Sequence, residues 1–130
     1  MSTDISFKVD DKKFNYRVCG IIVHDGRILA MKDERSPYYY LPGGRVQLGE
    51  RAEDAITREL NEELGIAAKI VRPLWLNQAF FNEDVDKTDY HELCIYFLEV
   101  IYNCIQVSCS QHCRYMLCVS PEQDFRLKAT

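Results

Sequence analysis

Residues Gly44 to Ile66 read GRVQLGERAEDAITRELNEELGI, and this stretch decides the fold. Its second half carries a helical period over residues 51–64. Ala52, Ala55, Ile56, Leu60 and Leu64 recur at spacings of three and four, so they fall on one stripe. Gly65 stands where a helix usually stops. The apolar stripe is core material. The opposite face carries Glu59, Glu62 and Glu63 within a single turn, where like charges repel. Two readings are open for that face: a solvated acidic surface, or a site for a hard divalent cation such as Mg²⁺ or Mn²⁺. A cation there relieves the repulsion and bridges to phosphate oxygens. Glu50, just before the helix, and Arg58, inside it, form a candidate ion pair.

Working upstream, Leu41-Pro42-Gly43-Gly44 is a glycine-containing loop, a plain turn or a place where backbone comes close to a ligand or metal. Tyr38 to Leu41 reads as a short strand before it. Residues 16–32 read as a hairpin around Asp25-Gly26. Ser6 to Val9 alternates, and Asp10-Asp11 offers a turn. Downstream, two β-like runs follow: Ala68 to Phe81, broken at Pro73, and Glu92 to Tyr102. Strands, one helix and more strands predict a mixed α+β or α/β sandwich.

The whole chain has 130 residues, with 20 acidic and 16 basic side chains, for a net charge of −4. That length suits one domain with a real core, and 47% hydrophobic residues exclude a wholly disordered chain. The mild acidity argues against general nucleic-acid binding. The N-terminal MSTDISFKVDDKK is polar and acidic where a signal peptide needs an apolar run. Leu93 to Ile101 is interrupted by Glu99 and is too short to span a bilayer. The expectation is a cytoplasmic protein with no membrane partner and with reduced cysteines.

From Gly44 to Ile66 the chain resembles the Nudix box: Gly, five residues, Glu, seven residues, then Arg-Glu-apolar-any-Glu-Glu-any-Gly-apolar. Gly44, Glu50, Arg58, Glu59, Leu60, Glu62, Glu63, Gly65 and Ile66 match at every defined position. Nine constraints over 23 residues are a highly specific signal. The resemblance extends over residues 5–101 and is only architectural outside the box. It implies a Nudix-type α/β/α sandwich with a mixed sheet. It also implies Mg²⁺- or Mn²⁺-dependent hydrolysis of a pyrophosphate bond in a nucleoside diphosphate-linked small molecule. Carried over by position, Glu59, Glu62 and Glu63 are metal ligands and catalytic groups. The carbonyl of Gly43 or Gly44 completes the metal shell. Glu50 and Arg58 are structural, with Arg58 positioning the carboxylates.

Substrate identity lies outside the box. Candidate phosphate contacts are Arg27, Arg35 and Arg45. Candidate base-stacking rings are Tyr38, Tyr39, Tyr40, Phe80 and Phe81, with half-buried strand aromatics as the alternative. His24 and His91 read as structural or exposed. Glu92, at the start of a strand, is a further carboxylate within possible reach of the metals.

The last thirty residues differ in kind. They hold two acids and three bases, against 18 and 13 in the first hundred, and four of the six cysteines: Cys104, Cys109, Cys113 and Cys118. These spacings, with His112 between, are wider than those of zinc sites. A Nudix domain usually closes with a helix, and residues 103–130 carry no such pattern. The expected organisation is a domain over 1–102 with an atypical cysteine-rich tail, read as a variant or frame-altered end. The closing helix is then absent or altered, and a homodimer over a bare sheet face is open. The alternative function is a nucleotide-binding or catalytically impaired variant of the same fold. An RNA 5′-end pyrophosphohydrolase lacks a basic track here.

Overall fold

The computed structural model describes residues 3–24, 26–32 and 38–101, and the backbone of 115–119. The elements in chain order are β1 (Ser6–Val9), β2 (Lys12–His24), β3 (Arg27–Lys32), β4 (Gly43–Arg45), α1 (Ala52–Leu64), β5 (Lys69–Asn82), β6 (Asp89–Val100) and β7 (Tyr115–Val119). The main sheet runs β5-β6-β2-β3-β7, and β1 and β4 also pair with β2. Only the β2–β6 pairing is parallel, so the sheet is mixed, as expected. Strand β2 is the hub. Along one edge it matches β6 from Lys12 to Val23. Its other edge is shared by β1 at residues 12–15, β4 at 17–19 and β3 at 23–24.

Local chemistry explains the turns. Asp10 takes a left-handed φ of 55° between paired Val9 and Lys12, a conformation that Asp tolerates. Gly26 does the same at φ 72° beside the His24–Arg27 pair. Pro73 lies in outermost β5, where no described strand needs its missing N–H on the far side, and register shifts flank it on both sides.

The predicted helix forms over Ala52–Leu64 and ends at Gly65, whose N–H donates to the Asn61 carbonyl at 2.9 Å. Ala55, Ile56, Leu60 and Leu64 are buried against Val18, Ile22 and Phe97 of the sheet. The opposite sheet face carries a smaller cluster of Cys19, Cys94 and Tyr96, with Trp75 over Tyr96 at 5.3 Å. Among the described residues α1 is the only helix, and no helix is long and apolar enough to cross a membrane.

Two sequence expectations shift. Pro73 does not break its run: β5 continues through it from Lys69 to Asn82. Tyr38 to Leu41 is not a strand: Tyr40 makes only an isolated bridge to Met31. The strand is instead Gly43–Arg45. Pro42 has no N–H to give a ladder. Gly43 has no Cβ, which would overlap the Val18 carbonyl, so only there can backbone reach β2 this closely. The tail's cysteine side chains, Arg35, His112 and a closing helix lie outside the described residues. From that tail β7 is described, antiparallel to β3 from Ile28↔Val119 to Lys32↔Tyr115.

Candidate active site

The polar face of α1 is organised by Arg58. Its Nε donates to Glu50 Oε2 at 2.8 Å, and one terminal nitrogen donates to Glu50 Oε1 at 3.0 Å and to the Arg45 carbonyl at 3.0 Å. The other terminal nitrogen donates to Glu59 at 2.9 Å and Glu62 at 3.2 Å. Glu50 also accepts from the Gln47 N–H at 3.1 Å. The bidentate Arg58 fork holds the Glu50 carboxyl below the usual carboxylate range, and Glu50 in turn raises the Arg58 guanidinium further. One guanidinium thus ties helix, preceding loop and β4 together.

Glu63 stands apart from this knot. Burial first, then a hydrogen bond shared with Glu59 and the charge of Glu59, push its carboxyl well above the usual range. The nearby Arg17 charge offsets part of that rise. Four residues apart on one helix, Glu59 and Glu63 bring their carboxylates side by side. A hard divalent cation is the natural partner for such a pair. Gly44 leaves the room: a Cβ there would overlap the Glu59 carboxylate. The donor chemistry therefore fits a metal of this kind. With Arg58 holding Glu59 and Glu62, the described residues contain no group of three or more His, Cys, Asp or Glu side chains already arranged around an ion.

The other sequence candidates scatter. Arg45 sits in β4, its carbonyl on Arg58 and its guanidinium 3.8 Å from Asp4. Tyr40 packs half-buried against the core. Arg27 is exposed at the β2–β3 tip, paired with His24, which lies five residues along β2 from Cys19, on the order of 17 Å away. Phe80 is exposed against His91 at 4.3 Å, and Phe81 stacks on Tyr90 at 5.1 Å.

Residue-by-residue reading missed a polar chain on the β2–β6 face away from the core. Ser6 Oγ donates to Asn15 Oδ1 at 2.6 Å, and Asn15 Nδ2 donates to Glu92 Oε2 at 2.9 Å. Arg17 lies 4.0 Å from the same Glu92 oxygen. The available signal was Arg17 itself, a charge inside an otherwise apolar strand run, Tyr16 to Val23.

Comparison with known proteins gives the same picture. The NUDIX domain profile matches residues 14–108. An ADP-ribose pyrophosphatase of Methanocaldococcus jannaschii is 34% identical over 65% of this chain and 50% of its own length. A nucleoside triphosphatase NudI of Escherichia fergusonii is 35% identical over 70% of this chain and 68% of its own. The chain thus spans half of the first relative and about two-thirds of the second. A MutT NUDIX hydrolase structure from Burkholderia pseudomallei matches at TM-score 0.63 and 27% identity, over 82% of this chain and 83% of that one. A profile covering most of the chain, relatives above 30% identity and a shared mixed α+β fold together establish that this chain belongs to the NUDIX domain family.

Proposed function

We propose that the chain is a Mg²⁺-dependent pyrophosphohydrolase of a nucleoside diphosphate-linked small molecule, with Mn²⁺ as a substitute metal, acting in the cytoplasm. The observation that carries this is the cluster of Glu59, Glu62 and Glu63 on one turn of α1, with Arg58 holding Glu59 and Glu62 and Gly44 clearing room at the Glu59 carboxylate. Glu59, Glu62 and Glu63 would hold the metal, with the Gly44 backbone alongside. A bound divalent cation supplies charge neutralisation at the diphosphate and a more acidic water. Glu59 or Glu62 then accepts the proton of the attacking water. The water oxygen bonds to one phosphorus, the bridging P–O bond breaks, and both products leave as phosphates. Arg58 keeps Glu59 and Glu62 in place without touching substrate. The hydrolytic domain is assigned to residues 1–102, with the tail completing its sheet through β7.

The test is a Mg²⁺-dependent hydrolysis screen. It covers ADP-ribose, nucleoside triphosphates, nucleotide sugars and dinucleoside polyphosphates. Turnover is expected on at least one class, with loss above about 1,000-fold in Glu59→Gln and Glu63→Gln. Unchanged turnover in both variants removes the assignment. Tight nucleotide binding without turnover marks a binding module instead.

A further inference from the structure

The active site described above has a charge problem that its best-placed arginine does not solve. A diphosphate must settle among several carboxylates, and a fixed protein cation with unused N–H groups would help it do so. Arg58 is spent on Glu50, Glu59, Glu62 and a carbonyl. Arg45 pairs with Asp4, and Arg51 pairs with Glu53 at 3.2 Å. Arg27 and Arg72 are exposed, at the β2–β3 tip and on outermost β5. Among the described arginines, Arg17 is the one held part-buried beside β4, with its nearest acid, the buried Glu92, beyond hydrogen-bond reach at 4.0 Å.

Its placement fits. Arg17 is the direct β-partner of Arg45, whose carbonyl anchors Arg58. One and two residues on, Val18 and Cys19 pair with Gly44 and Gly43, and Gly44 is the position Glu59 packs against. The Arg17 charge is felt at Glu63. Its side chain is 27% exposed, so part of the guanidinium meets solvent, while its Nε is buried with no hydrogen-bond partner. Beside it, Glu92 is 3% exposed and its Oε1 is also buried without a partner. Buried donors and acceptors are normally satisfied, and unsatisfied ones need an explanation. A 4.0 Å Arg17–Glu92 separation is attraction without a hydrogen bond.

We infer that Arg17 contacts a phosphate oxygen of the substrate, and that Glu92, braced by Asn15 and Ser6, positions its guanidinium. This rests on the hydrolase reading above. The part of the guanidinium that meets solvent offers its N–H groups to a phosphate oxygen, and a guanidinium fork suits a diphosphate better than an ammonium does. Glu92 is buried because its work is to hold Arg17, through the Ser6–Asn15–Glu92 hydrogen bonds. Arg17 is the catalytic residue in this pair and Glu92 the positioning residue.

The test uses full-length protein with two readouts: ADP affinity by calorimetry in Mg²⁺, and kcat and KM on the substrates of the hydrolysis screen. The variants are Arg17→Lys, Arg17→Gln, Arg17→Ala, Glu92→Gln and the double variant Arg17→Gln/Glu92→Gln, the last of which leaves no charge stranded. The double variant is expected to melt near the wild type, bind ADP about 30-fold more weakly and lose about 100-fold in kcat/KM. Arg17→Lys retains the charge and recovers only part of either loss. Glu92→Gln alone raises KM more than it lowers kcat, as expected for a group that acts through Arg17. In Arg17→Ala, added guanidinium restores part of the turnover. Unchanged ADP affinity and kcat/KM in folded Arg17 variants overturn the inference, as does wild-type protein that does not bind ADP. Glu59→Gln is run in parallel. If it remains active, or the wild type turns over nothing, the hydrolase reading fails while the ADP arm still reads Arg17.

Discussion

Strand β6 buries two glutamates seven residues apart, and alternation puts them on opposite faces of the sheet. Glu92, on the face away from α1, accepts from Asn15 and lies beside Arg17. Glu99, on the core face, lies where a Gly20 Cβ would come 2.7 Å from its Oε2, with Ile56 of α1 close by. Neither Glu99 oxygen has a hydrogen-bond partner among the described residues. Burial alone pushes the Glu99 carboxyl up to about 7. Burial therefore says little by itself about what a carboxylate is for. The neighbours decide: one acid is wired to a cation beside the candidate active site, and the other is a weak acid kept in the core by a missing side chain.

Four changes break or sharpen that contrast. The largest effect belongs to Glu92→Leu, which strands the Arg17 charge and the Asn15 amide together. It should cost about 4 kcal/mol in urea denaturation. An unchanged midpoint would show that the polar chain carries no stability. The next effect is a pH dependence from Glu99. The folded state keeps a proton that the unfolded chain releases above its ordinary pKa of 4.5. Its stabilising contribution is full below pH 4.5 and is lost as the pH rises through about 7, a change of about 3 kcal/mol. Glu99→Gln should flatten that slope, measured as the wild-type-minus-variant difference at pH 5 and pH 8.

Gly20→Ala comes third. The added methyl meets the Glu99 carboxylate and should cost about 2 kcal/mol. In a Glu99→Ala background the same change should cost less than about 0.5 kcal/mol, because the obstructing carboxylate is gone. Equal costs in both backgrounds would refute the contact. Ser6→Ala is the smallest, about 1 kcal/mol, from one hydrogen bond at the outer end of the Glu92 chain. Its melting temperature should fall by only a few degrees.

The contrast also shows what can be read from residues alone. The helix was legible because its apolar spacing, its terminal glycine and its acid pattern agree. The Asp25-Gly26 hairpin was legible from turn chemistry. The β4 strand was not: Gly43 and Gly44 look like loop, and their use as a strand depends on backbone approach to Val18 and Cys19 across the fold. Glu59, Glu62 and Glu63 were visible as a cluster because one helix turn places them together. Arg17 and Glu92 lie far apart in sequence and meet only through β2–β6 register. Glu99 was noticed as a break in an apolar run, but the space Gly20 makes for it is a property of the paired strands.

That same register governs how the chain reaches its native state. All twelve rungs between β2 and β6 join residues 77 apart. The central ladder is thus made of distant contacts, which close late and slowly. During synthesis β2 can turn back on β1 and β3, yet it has no parallel partner until residue 100 has emerged. Through that interval its long edge is open to wrong pairing. A slip of one residue would turn Glu92 toward the core and Leu93 toward Arg17, a mismatch severe enough to reject the error. The buried polar chain therefore also works as a register mark for the long-range pairing of β2 with β6.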